Sequence, residues 1–204
     1  MKSPQILFIT GTDTGVGKTV FAALSTVYLR QQGFRVAALK PLASGGREDA
    51  RILHAAAGKV LALDEVNPWH FRAPLAPVLA ARKEKRQVRL REVVAQIQRV
   101  AKRFEVVVVE GAGGLLSPMG EGFDSRDLIA ALKATPVIVT ANKLGAVNQV
   151  RLVLEALPQS ARRKARVVLV NPPKSDAASR TNLKLLAEFL TPGQLRVMPW
   201  LALR

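Results

Sequence analysis

The chain has 204 residues, 49% of them hydrophobic, no cysteine and a formal net charge of +16. Such a length suits one domain with a sizeable core, residues 1–204 forming a single unit, and the missing cysteines exclude disulfides and thiolate metal sites. No apolar run approaches the roughly 20 residues of a membrane span, and Met1-Lys2-Ser3-Pro4 leads straight into an apolar segment rather than a signal peptide, so the expectation is a cytoplasmic protein without a membrane partner.

The first apolar run, Gln5–Thr10, reads as a strand. It feeds Gly11-Thr12-Asp13-Thr14-Gly15-Val16-Gly17-Lys18-Thr19, and an amphipathic segment from Val20 to Gln32 follows, closed by Gly33. A strand, a glycine loop and a helix in that order direct backbone N–H groups and the positive helix end at one point, which suits a phosphate. Lys18 can reach the terminal phosphates of a nucleotide, and the Thr19 hydroxyl can ligate Mg²⁺. Five residues separate Gly11 from Gly17 where the common phosphate loop has four, which marks a variant of that loop.

A second strand, Arg35–Leu39, ends at Pro41 and leads into Lys40-Pro41-Leu42-Ala43-Ser44-Gly45, with Lys40 where a ligand phosphate or carboxylate would sit. Asp64 to Gln87, with Pro68, Pro74 and Pro77, is the least regular stretch. In Leu90–Phe104 the residues Leu90, Val93, Val94, Ile97, Val100, Ala101 and Phe104 trace one helical face. The strand Val106–Val109 ends in Glu110-Gly111-Ala112-Gly113-Gly114; a carboxylate there, beside a phosphate loop, can hold Mg²⁺ directly or through water. Helices over Ser125–Lys133, Val147–Leu157 and Ser179–Phe189 alternate with strands over Val137–Thr140 and Arg166–Val170. Near-continuous Val/Ile/Leu strands alternating with helices predict an α/β fold: a doubly wound, mostly parallel sheet flanked by helices on both faces, of the P-loop NTPase type, with ligands at the C-terminal strand ends.

These residues together resemble the signature set of the dethiobiotin synthetase family: the Gly11–Thr19 loop, Lys40-Pro41 with Ala43-Ser44-Gly45, and Glu110-Gly111-Ala112-Gly113-Gly114. Further matches are Val66-Asn67-Pro68, Lys143-Leu144-Gly145 with Asn148, and Pro199-Trp200-Leu201, in order over almost the whole chain. The resemblance implies an ATP- and Mg²⁺-dependent carboxylation and ring closure. In that reaction 7,8-diaminopelargonic acid and CO₂ form a carbamate, ATP phosphorylates it, and the second amine closes the ring to dethiobiotin. It implies catalytic roles for Lys40, Lys18 and Thr14, and nucleotide binding by Gly15, Val16, Gly17, Lys18, Thr19, Glu110, Gly111, Gly113, Asn171, Pro199 and Leu201. It implies substrate contacts from Thr14, Ser44, Leu144, Gly145 and Asn148, the last three in a segment that with Ala146 and Val147 serves the neighbouring subunit of a homodimer. Thr19, Asp49 and Glu110 become the metal partners.

Two departures concern the base. Asn171-Pro172-Pro173 stands where the family commonly has an Asn-Asp pair, and the chain ends at Arg204, where the family often continues to an acidic residue near the nucleoside, so base recognition is expected to be thin. A rival reading is a partition or site-selection ATPase that binds DNA through the basic clusters Arg82–Arg91 and Arg162–Arg166. Those proteins place a second lysine early in the phosphate loop, where this chain has Gly11 and Thr12, and no aromatics interleave the clusters, so nucleic acid is not the expected partner. Guanine recognition would want an aspartate in place of Gly145 after Asn142-Lys143-Leu144, and glutamine hydrolysis would want a cysteine. His54 and His70 complete no metal or nucleophile constellation and read as structural or surface residues.

Overall fold

The computed structural model describes residues 3–201. Strand β1 (Gln5–Gly11) leads through the glycine loop into α1 (Lys18–Gln31) and β2 (Val36–Leu39). A short excursion follows: β3 (Leu42–Ser44), α2 (Glu48–Ala56), α3 (Leu63–Val66), β4 (Trp69–Phe71) and α4 (Pro77–Lys83). Then come α5 (Leu90–Ala101), β5 (Val106–Glu110), α6 (Ser125–Leu132), β6 (Thr135–Ala141), α7 (Ala146–Ala156), α8 (Gln159–Arg162), β7 (Arg166–Val170), α9 (Ala177–Ala187) and β8 (Leu195–Met198).

Six strands form one parallel sheet in the order β2-β5-β1-β6-β7-β8. Apart from β8 at the sheet edge, the strands alternate their side chains between two largely buried layers, which is why their runs are mostly apolar. Phe8, Val107 and Val109 face the layer under α5, α6 and α7, while Ile9, Val106 and Val108 face the layer under α1 and α2. Because every neighbour is parallel, all strand ends that carry polar residues emerge on one side. The connections step across the sheet to opposite sides of β1, whose neighbours are β5 and β6, and the glycine loop leaves the sheet at that crevice.

The expected strands and helices are all present, with ends displaced by up to a few residues. The helix predicted from Val20 begins earlier, at Lys18, since Gly17 with φ 97° turns the loop directly into the first helical residue. The stretch Asp64–Gln87, read as irregular, holds the end of α3, β4 and α4, and β4 pairs with β3 in a separate two-stranded parallel sheet. Three-residue strands are too short for a period to show in sequence. Pro77, at the first turn of α4, starts a helix rather than breaking one, because that position has no intrahelical N–H partner to lose.

Candidate active site

The loop between β1 and α1 is shaped for an anion. Gly15 and Gly17 both have positive φ, and α1 starts with neither a side-chain cap nor an acidic residue in its first turn. Its first amides are therefore left for a ligand. A Cβ on Gly11 would lie 2.9 Å from Val16 and 3.0 Å from the Asp13 carbonyl, so only glycine lets the loop fold back this tightly. Lys18 is buried and its Nζ donates to the Asp13 carbonyl at 2.7 Å, spanning the loop.

Three strand and helix ends meet beside it. Glu110, 1% exposed at the end of β5, accepts from Thr19 Oγ1 at 2.9 Å and from Lys40 Nζ at 2.6 Å. Lys40, one residue past β2, also donates to the Gly111 carbonyl at 3.1 Å and pairs with Asp49 of α2 at 3.1 Å. Its three N–H protons thus have three acceptors. Burial opposes charge on Lys40, yet the attraction and hydrogen bonds of Glu110 and Asp49 hold its pKa above the usual lysine value. The pairing is therefore fully present below that usual value and is lost only as alkaline pH rises through the raised one. Asp49 is opposed by burial too, but Lys40, the Thr19 hydroxyl and Lys18 leave its pKa below the ordinary aspartate value. Its contribution is present above that ordinary value and is lost as pH falls through the depressed one. Lys18 differs: burial first, and then the charge of Lys40, push its pKa below the usual lysine value.

The second carboxylate oxygen of Glu110 is buried without a hydrogen-bond partner. An orphaned anionic oxygen beside a threonine hydroxyl and Asp49 is a donor set that fits a hard divalent cation. Among the described residues no three carboxylates, imidazoles or thiols converge, so this is not a self-contained metal cage. It suits Mg²⁺ arriving with phosphate oxygens and water in its shell.

The structure thus brings Lys18, Thr19, Lys40, Asp49, Glu110 and Gly111 into one cluster, with Gly113 close to Thr14. Thr14 itself is exposed at the loop's outer edge. Ser44 stands apart on β3, its hydroxyl donating to the Leu75 carbonyl at 2.5 Å. Leu144, Gly145 and Asn148 are exposed where α7 begins, with Leu144 86% accessible, and no hydrogen bond or ion pair links them to the cluster among the described residues. Gly145 caps α7 with φ 86° and no side-chain cap, leaving another set of free amides. Asn171 follows β7, and a Cβ on Gly17 would lie 3.3 Å from Val170 and 3.7 Å from Met198, so the ends of β7 and β8 flank the loop. Pro199 and Leu201 lie exposed just beyond β8, while the chain's last three residues, Ala202–Arg204, lie outside the described residues.

Sequence reasoning missed Asn182, which α9 buries against Asn142, and gave Asn142 no role beyond an incomplete guanine motif. A single asparagine in a helix carries no signal; only the fold shows its partner. The two basic clusters are partly neutralised locally, Arg82 by Glu121 at 2.8 Å and Arg162 by Glu155 at 3.0 Å.

Residues 5–202 match the AAA_26 family, described as an AAA domain. The chain is 38% identical over 182 residues to the ATP-dependent dethiobiotin synthetase BioD of Akkermansia muciniphila, covering 89% of this chain and 85% of that one. It is 40% identical over 199 residues to the protein of that name from Anaeromyxobacter dehalogenans strain 2CP-C, covering 95% and 89%. Among solved structures it is similar to the signal recognition particle receptor FtsY from Elizabethkingia anophelis in complex with GDP, with TM-score 0.53 and 16% identity. The chain covers 88% of itself but only 52% of that receptor, and the likeness concerns the fold alone. No helix among the described residues is long and apolar enough to cross a membrane.

Proposed function

The chain belongs to the ATP-dependent dethiobiotin synthetase family, and from that premise we propose how its residues perform the reaction. The protein is an ATP-dependent dethiobiotin synthetase, a ligase of biotin biosynthesis; the partition-ATPase reading has no support in the relatives. The observation that carries the mechanism is the convergence of Lys18, Thr19, Lys40, Asp49 and Glu110 on the mouth of the glycine loop.

One amine of 7,8-diaminopelargonic acid adds to CO₂, forming a C–N bond and losing a proton to give a carbamate. A carbamate oxygen then attacks the γ-phosphorus of ATP, and ADP leaves. The second amine attacks the carbonyl carbon of this mixed anhydride, inorganic phosphate departs, and a proton is lost as the cyclic urea closes. The loop amides and Lys18 hold the phosphates and meet the charge that builds on the transferring group. Mg²⁺ held by Thr19, Glu110 and Asp49 would supply positive charge to the phosphate oxygens. Lys40 is the cation next to the reacting carbamate, and it engages that anion by exchanging one of its present acceptors. Thr14 and Ser44 line the diamine end, Ser44 through its oxygen lone pairs, since its proton is already committed to Leu75.

The free amides at the start of α7 suit the carboxylate tail of the substrate, and we assign Leu144, Gly145 and Asn148 to the partner's substrate in a homodimer. Leu144 is 86% exposed where α7 begins, which supports its being covered by a partner. We assign residues 1–204 to one domain that acts in the cytoplasm on small molecules rather than on nucleic acid.

The test is product formation. The purified protein should release ADP only when both 7,8-diaminopelargonate and bicarbonate are supplied, with dethiobiotin appearing in equal amount. ADP release driven by DNA instead overturns the reading. Light scattering at assay concentration should find a dimer; a monomer with full activity removes the shared site.

A further inference from the structure

A relay of three side-chain amides runs from the middle of α9 to the end of β7. Asn182 Nδ2 donates to Asn142 Oδ1 at 2.9 Å and to the Lys143 carbonyl at 2.9 Å. Asn142 Nδ2 donates to the Ser179 carbonyl at 2.9 Å and to Asn171 Oδ1 at 2.8 Å. Asn142 and Asn182 are 2% and 7% exposed, while Asn171 opens towards solvent.

An asparagine amide can ordinarily turn over, exchanging its donor and acceptor ends. Here two backbone carbonyls, which only accept, forbid it. The Lys143 carbonyl requires the nitrogen of Asn182, and the Ser179 carbonyl requires the nitrogen of Asn142. With both turned that way, Asn142 offers its second N–H towards Asn171, which must answer with oxygen. Turning Asn171 over would oppose two donors and leave a buried N–H of Asn142 unpaired.

Asn171 therefore keeps its oxygen inward, and its Nδ2 meets no protein acceptor among the described residues. That nitrogen lies at the end of β7, beside the strand residue Val170 that packs on Gly17 of the phosphate loop. We infer that Asn142 and Asn182 are positioning residues that lock Asn171 to present a hydrogen-bond donor to the nucleotide base. The inference rests on the proposed nucleotide site and adds to it the polarity with which the base is read.

A donor is met by an acceptor. Guanine offers O6 and N7, and uracil offers O4. Adenine offers N7 but sets its own amino group beside it, and cytosine presents an amino group at the matching edge. A locked donor thus cannot exclude guanine in favour of adenine. Discrimination for adenine by this side chain needs an acceptor, and the relay faces the side-chain oxygen of Asn171 the other way.

The experiment compares kcat/KM for ATP and GTP in dethiobiotin formation, alongside equilibrium dialysis of each Mg-nucleotide without diamine. Asn142→Asp replaces the inward donor by an acceptor, so Asn171 turns and shows its oxygen to the base. The ATP-to-GTP ratio should rise at least fivefold in both measurements. Asn171→Asp, at a part-exposed position, puts an acceptor outward directly and should move the ratio the same way. Asn182→Ala removes one of the two locks and should move the ratio in the same direction by about twofold. Ratios unchanged within error in folded Asn142→Asp, or in Asn171→Asp if the first does not fold, overturn the relay. A wild-type ATP preference of several thousandfold does so as well. Absence of dethiobiotin with every nucleotide, in the wild type, instead overturns the functional reading.

Discussion

The two ends of the nucleotide site are built from different chemistry. At the phosphate end, charged groups crowd together: Lys18, Lys40, Asp49 and Glu110, with Lys40 and Glu110 almost wholly buried and 2.6 Å apart. At the base end the buried groups are neutral amides, Asn142 and Asn182, whose hydrogen bonds cost less to bury than ions but carry direction. Phosphate recognition is thus strong and common to every nucleoside triphosphate, whereas base recognition depends on which way one amide points.

The largest effect should come from the charged end. Lys18→Ala is expected to leave the fold intact by circular dichroism and to lower turnover by roughly two to three orders of magnitude, the scale for losing a main electrostatic stabiliser. Turnover near wild type at saturating ATP would remove Lys18 from the mechanism. Next, Glu110→Gln leaves the Lys40 ammonium buried with half its compensation. Denaturant unfolding should show a loss of about 3 kcal/mol, as for other broken buried pairs, and the Mg²⁺ requirement should shift to higher concentration. A variant as stable as the parent would mean that Asp49 alone neutralises Lys40.

At the neutral end the effects are smaller. ATP should be preferred over CTP, GTP or UTP by roughly tenfold at most in steady-state kinetics, since one imperfect hydrogen bond contributes about 1 kcal/mol. Finally, Asp176 caps α9, the helix that carries Asn182, by accepting from the Ser179 amide at 2.7 Å. That hydrogen bond, with the Ser179 hydroxyl, holds its pKa below the ordinary aspartate value. The cap's contribution is present above that value and is lost as pH falls through the depressed one. An NMR titration should find the Asp176 midpoint below that of an exposed aspartate. A midpoint at the ordinary value would mean that the cap is not formed in solution.

The same contrast governs what could be read beforehand. The glycine loop, Lys18, Thr19 and Glu110 were legible because each occupies a fixed offset from a strand or helix boundary. Lys40 was visible as the residue after a buried strand, but its ion pair with Glu110 joins residues 70 apart and only the parallel register brings them together. Asp49 needed the resemblance to be noticed, since α2 has no strand to announce it. Strands β3 and β4 were missed because three residues do not establish a period. Arg196 and Val197, exposed on β8 at the edge of the sheet, break the apolar run that marks an inner strand.

By itself the sequence determined the parallel α/β fold, through apolar strands buried on both faces, and the phosphate site, through glycines that a Cβ would clash with or strain. Local backbone geometry sets both, so both are written in contiguous residues. Tertiary structure alone decided the polarity of the base site. Asn142, Asn171 and Asn182 come from three separate elements, and the two carbonyls that orient them belong to Lys143 and Ser179. An amide has no preferred end until its neighbours are in place.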